Sequence, residues 1–132
     1  MSYIFLVFQS ALAQTSSNED YEKYPVFTEC ENVEIADLEN CFNTTLRTFI
    51  NTNFKQPEII SKENYTGELV VLFEVTKKGA FKVLYVDAVY EELKTEIKRV
   101  FGLLPVVKPS TYSGKPAYIQ FTMKLEIPLG SI

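Results

Sequence analysis

The sequence has no histidine, no tryptophan and two cysteines among its 132 residues. Without histidine there is no Ser-His-Asp triad, no imidazole general base and no His-ligated zinc. Two cysteines cannot complete a four-cysteine metal site. An excess of positive charge is also missing: 13 Lys and Arg stand against 17 Asp and Glu, for a net charge of −4. Such a chain lacks the basic face that displaces counterions from nucleic acid. No apolar run reaches the ~20 residues that a bilayer-spanning helix needs. What is present is ordinary for a globular protein of one domain, 46% hydrophobic and 23% charged. The composition therefore argues against most catalysis before any motif is read.

The first residues are the least domain-like. Tyr3-Ile4-Phe5-Leu6-Val7-Phe8 is an apolar run, and Ala11-Leu12-Ala13 before Gln14 is a small-x-small cleavage pattern. This predicts a secretory signal peptide over 1–14, although no Lys or Arg precedes the run; the alternative is a short buried strand or helix of the mature fold. A polar, aperiodic stretch over 15–24 reads as a flexible lead-in, and 25–132 as the folded domain. Export bears on Cys30 and Cys41, eleven positions apart, a spacing that fits neither a CxxC redox motif nor zinc. In an oxidising compartment the default is one disulfide, worth about 3 kcal/mol for so short a loop; the alternative is two buried free thiols.

Hydrophobic periodicity sets out the elements. Leu38, Phe42, Leu46, Phe49, Ile50 and Phe54 recur at steps of three and four, predicting a helix over 37–54 capped by Asp37 and stopped by Pro57. Residues 67–76 form a strand with Leu69, Val71, Phe73 and Val75 on one face; Val70 and Leu72 make the other face apolar too, which marks a central strand. Lys77-Lys78-Gly79 is a tight turn into a second strand over 80–88, whose alternation slips between Phe81 and Leu84 as at a bulge. A second helix over 90–103 carries Leu93, Ile97, Val100, Phe101 and Leu104. Residues 105–116, rich in Pro and Gly, read as a connecting loop. A last strand over 117–127 points Ile119, Phe121, Met123, Leu125 and Ile127 inward, and Tyr118, Gln120, Thr122, Lys124 and Glu126 outward.

A hairpin followed by a right-handed crossover lays the last strand beside the first and parallel to the second. The expected fold is α+β: a two-layer sandwich, with a three-stranded sheet and two helices on one face. Strand 117–127 then lies at an edge.

The stretch from Gln56 to Pro128 resembles the C-terminal domain of TonB, a periplasmic energy transducer. The resemblance is carried in order by Gln56-Pro57, by the strand from Gly67 to Thr76, by Lys77-Lys78-Gly79 at the family's turn, by Leu104-Pro105 through Pro109, and by Gly114-Lys115-Pro116 before Ile119-Gln120-Phe121-Thr122-Met123. Pro25-Val26-Phe27 followed by Cys30, with Cys41 inside the first helix, is similar to TonB-like proteins of Bacteroidetes. Gln56 replaces the family's Tyr, and Lys78 its Asp. Neither the membrane anchor nor the Pro-rich spacer of a TonB transducer is seen, so the resemblance implies a free-standing exported relative.

In that family the last strand pairs with an extended peptide of an outer-membrane receptor. The resemblance thus implies a partner-binding strand displaying Tyr118, Gln120, Thr122, Lys124 and Glu126, in a periplasmic protein linked to TonB-dependent transport. Recruitment of another envelope protein fits the same edge, as does a structural role as a homodimer. Glu91, Glu92 and Glu96 are grouped like acid/base carboxylates but read as a solvated helix face. Tyr112 and Tyr118 flank Gly114-Lys115-Pro116 as a small contact patch, and the Asn43 and Asn64 acceptor motifs matter in a eukaryotic host alone.

Overall fold

The computed structural model describes residues 23–129; the signal peptide expected at 1–14, and the lead-in up to residue 22, lie outside the described residues. The chain enters through two 3-10 turns, Thr28–Cys30 and Ile35–Asp37. It continues as α1 (Leu38–Asn53), α2 (Glu58–Lys62), β1 (Gly67–Val75), β2 (Phe81–Asp87), α3 (Glu91–Gly102), the short strands β3 (Ser110–Tyr112) and β4 (Lys115–Ala117), and β5 (Ile119–Ile127).

The main sheet has the order β2-β1-β5, with β1 antiparallel to both neighbours. The central strand is therefore the one apolar on both faces. Its inner residues Leu69, Val71, Phe73 and Val75 are fully buried beneath α1 and α3. The helices contribute Leu38, Phe42, Leu46 and Ile50 from α1, and Leu93, Ile97, Val100 and Phe101 from α3; of the predicted stripes, Phe49, Phe54 and Leu104 are only half-buried. Aromatic rings join the layers. Phe42 stacks on Phe81 and Phe121, and Phe73 stands 5.0 Å from Phe101 and 5.1 Å from Phe121. This is the expected α+β two-layer sandwich. The slip in β2 is a bulge: Leu72 faces Tyr85 and Phe73 faces Val83, leaving Leu84 as the extra residue.

Four details differ from the expectations. Asp37 makes no side-chain cap on α1; it ends a 3-10 turn, and its position as N-cap is one of backbone alone. Pro57 forbids a continuation of α1 but is also the extended N-cap of α2, its carbonyl accepting the Ile60 N–H at 3.1 Å. Asn64 closes α2 in the left-handed region (φ 53°), with the Tyr65 N–H donating back to the Ile60 carbonyl. The segment 105–116 is not all loop: β3 and β4 form a hairpin whose turn residues, Ser113 and Gly114, both have positive φ. The last strand of the main sheet starts at Ile119 because Ala117 belongs to that hairpin.

The hairpin anchors the start of the fold. Lys23 bridges Thr111, and Val26 exchanges both backbone hydrogen bonds with Lys108 at 2.9 and 3.0 Å. Tyr24 packs against Phe42 and Phe121. So the last two residues of the expected lead-in are held against the body of the domain. A Cys30–Cys41 disulfide then ties this entry segment to α1. Its reduction is expected to lower the unfolding free energy by about 2–3 kcal/mol, mostly by enlarging the unfolded ensemble. Urea midpoints with and without reductant measure this directly; coincident curves would refute it.

Candidate functional site

β5 pairs with β1 through an unbroken nine-residue register, from Gly67 opposite Ile127 to Val75 opposite Ile119. On its other side no strand of the described residues joins the sheet. Side chains alternate as expected: Ile119, Met123, Leu125 and Ile127 are buried, while Gln120, Thr122, Lys124 and Glu126 are exposed. Tyr118, just ahead of the strand, is 55% exposed. Of the five residues picked from the sequence, Gln120, Thr122, Lys124 and Glu126 therefore share the exposed face of β5, and Tyr118 stands exposed next to its start. Gln120 donates to the Glu74 carboxylate at 3.4 Å across the outer face.

The sheet has a second rim, β2, which is less suited to pairing. Its bulge at Leu84 breaks the regular spacing of backbone groups, a common way of blunting an edge. β5 has no such break.

Two contributors to the rim escape sequence reasoning, Asn43 and Arg47 of α1. With Phe73, Phe121, Thr122, Met123 and Lys124 they line a groove of about 440 Å3 between helix and strand. The Arg47 guanidinium reaches the Lys124 carbonyl at 3.5 Å. The only hint in the sequence is that Asn43 and Arg47 are four apart on a helix, hence on one face.

Glu96 is not the solvated carboxylate expected of its helix. Its side chain is 13% exposed and accepts two bonds from Arg99, at 3.0 and 2.6 Å, and one from the Lys55 N–H at 2.7 Å. Arg99 also donates to the Asn53 carbonyl at the end of α1, so the pair fastens α3 to the terminus of α1. The Arg99 hydrogen bonds hold the Glu96 carboxyl below its usual range, against an opposing effect of burial. A depressed carboxyl contributes stability that is present above its unfolded value and is lost as pH falls through the folded one. We expect Glu96→Gln to lower stability at pH 7 and to flatten the acid limb below about pH 4.5. Chemical denaturation across pH 3–7 checks this; an unchanged acid limb would refute the assignment. Glu91 and Glu92 are exposed, with Glu91 paired to Lys94 at 3.1 Å. Glu91, Glu92 and Glu96 border one open depression of about 570 Å3 with Lys55, Gln56, Pro57 and Thr95, and no cluster fit for a metal occurs among the described residues.

No protein-family model and no curated protein matches the chain. Among solved structures, the NMR solution structure of the TonB C-terminal domain of Helicobacter pylori is similar at 19% identity, with a TM-score of 0.46. The match covers 69% of this chain and 97% of that one.

Proposed function

We propose that this protein is a binding module that captures an extended peptide by strand addition along β5. The observation that carries the reading is the position of β5: nine regular residues at the rim, paired on one side only among the described residues. An edge strand offers N–H and C=O groups that a partner strand can satisfy, with alternate side chains setting preference. Tyr118, Gln120, Thr122, Lys124 and Glu126 supply that preference here, and the groove beside Arg47 accepts side chains from the partner's inner face. The partner class is a segment of an outer-membrane receptor or other envelope protein, as the resemblance to TonB implies. Export through 1–14 would deliver the module to the periplasm, where its role is recruitment, linked to TonB-dependent transport, with no catalytic step.

The test exploits strand parity. In an added strand, every second peptide N–H points at the host edge. A receptor N-terminal peptide should perturb amide resonances of 119–127. N-methylation at alternate peptide positions should weaken binding at least about tenfold for one parity and hardly at all for the other. Equal losses at both parities, or shifts confined to the helices, would refute strand addition.

A dimer through the same edge is favoured by one feature. Lys124 and Glu126 lie two apart, so antiparallel pairing of two copies about Leu125 sets each lysine opposite a glutamate. Sedimentation measurements of Lys124→Glu, and of Lys124→Glu with Glu126→Lys, distinguish this structural role: the single change should dissociate the dimer and the double change restore it.

A further inference from the structure

The inner face of the sheet is filled by helices; the outer face is not. The β1 residues Val70 and Leu72 point outward and are half-buried. The register arranges this face in rows. Leu72 lies between Tyr85 and Thr122, and Val70 between Asp87 and Lys124. The bulge adds one more apolar group. Val83 and Val86 face inward opposite Phe73 and Val71, so both residues between them, Leu84 and Tyr85, stand on the outer side. They are 38% and 61% exposed. The result is an apolar strip, Val70, Leu72, Leu84 and Tyr85, on a face with no helix over it among the described residues.

Charge on this face is uneven. At one end, Lys82 and Glu74 are directly paired neighbours across β2 and β1, and offset each other. At the other end Glu68 is directly opposite Glu126, a like-charge cross-strand pair, with Asp87 one row away. Lys124 sits in the row of Val70 and Asp87 and leaves that end net acidic. Directly opposed carboxylates are destabilising, and a cation brought over them would reverse the sign of the interaction.

We propose that the outer face docks a helix of a partner protein, amphipathic, with an apolar stripe over Val70, Leu72, Leu84 and Tyr85 and with Lys or Arg at the end that meets Glu68 and Glu126. Three strands about 4.8 Å apart make a platform the width of one helix, and covering it turns two layers into three. This goes beyond the edge reading: a strand added to β5 extends the sheet, while a helix lies over its outer face, and of the residues invoked only Thr122, Lys124 and Glu126 belong to both.

The experiment titrates the isotope-labelled full chain with two synthetic helical peptides of identical Leu stripe. One carries two Arg near one end, the other Glu at the same positions. The cationic peptide should shift the amides of 70, 72, 84 and 85 and bind at least tenfold more tightly than its acidic twin, with the preference lost in 0.5 M salt. Tyr85→Ala should weaken it several-fold. Glu68→Gln with Asp87→Asn, neither on β5, should abolish the preference for charge while leaving the edge-peptide response at 119–127 in place. Equal binding of the two peptides, shifts on α1 or α3, or no shift at millimolar peptide would overturn the proposal. So would a free protein in which residues 1–22, or a second copy, already show nuclear Overhauser contacts to Leu72.

Discussion

Gly79→Ala should cost about 3–4 kcal/mol, enough to lower Tm by about 15 °C in a domain of this size. Gly79 sits at φ +82°, in the left-handed region, and an added Cβ would fall 1.8 Å from the Val107 carbonyl oxygen. That oxygen is backbone and cannot swing away. The Val107 N–H donates to the Gly79 carbonyl at 3.0 Å, so the turn and the segment after α3 are locked together at this point. Thr76 holds the same turn from the other side, its hydroxyl accepting the Lys78 and Ala80 N–H groups at 3.3 and 3.1 Å. An alanine must push Val107 away, giving up this hydrogen bond and the packing of a side chain 5% exposed. Gly114 is the control. Its φ is +75°, but nothing lies within 4 Å of an added Cβ. Gly114→Ala should therefore show the backbone strain by itself, about 1 kcal/mol. Thermal and urea unfolding of the two variants separates conformational strain from close approach; equal losses would refute this account.

Phe42→Ala should be comparably severe, about 3–5 kcal/mol. The ring is completely buried. Its four ring neighbours come from three parts of the chain: Tyr24 and Phe27 before the helix, Phe81 on β2 and Phe121 on β5, with ring centroids 5.1 to 6.2 Å away. No one of these can collapse into the space without leaving another. Phe42→Leu, which keeps most of the apolar volume, should lose less than half as much. A loss below about 1.5 kcal/mol for the alanine variant in equilibrium denaturation would mean that the aromatic cluster is not the keystone of the core.

How much of this was legible in the sequence follows from the range over which each feature is encoded. The alternation at Ile119, Phe121, Met123, Leu125 and Ile127, and the double-sided character of 67–75, are local patterns; they sufficed for strand order and for the rim position of β5. The bulge could be read because Phe81 and Leu84 break parity. The β3–β4 hairpin could not, since two strands of three residues are too short for a period, and the Ser113-Gly114 turn was its one local sign. α2 leaves no such pattern: it has five residues, and the Pro57 that forbids a continuation of α1 is also its N-cap. Asn43 and Arg47 belong to the candidate site through a helix-to-strand contact 77 residues apart, and Glu96 takes its role from a backbone N–H 41 positions away. Relations of that kind leave no trace in spacing.

The central place of β1 also governs the order in which the domain becomes safe. Its partner β5 follows all the other described elements in chain order, so during synthesis the nascent chain carries a middle strand with one flank bare and hydrophobic groups above and below. Such a half-built intermediate is a template for misassembly until the last nine strand residues emerge. A ribosome stalled, or a protease cutting, between Val75 and Ile119 thus leaves β1 without that flank, a sticky remnant in place of a smaller stable fold.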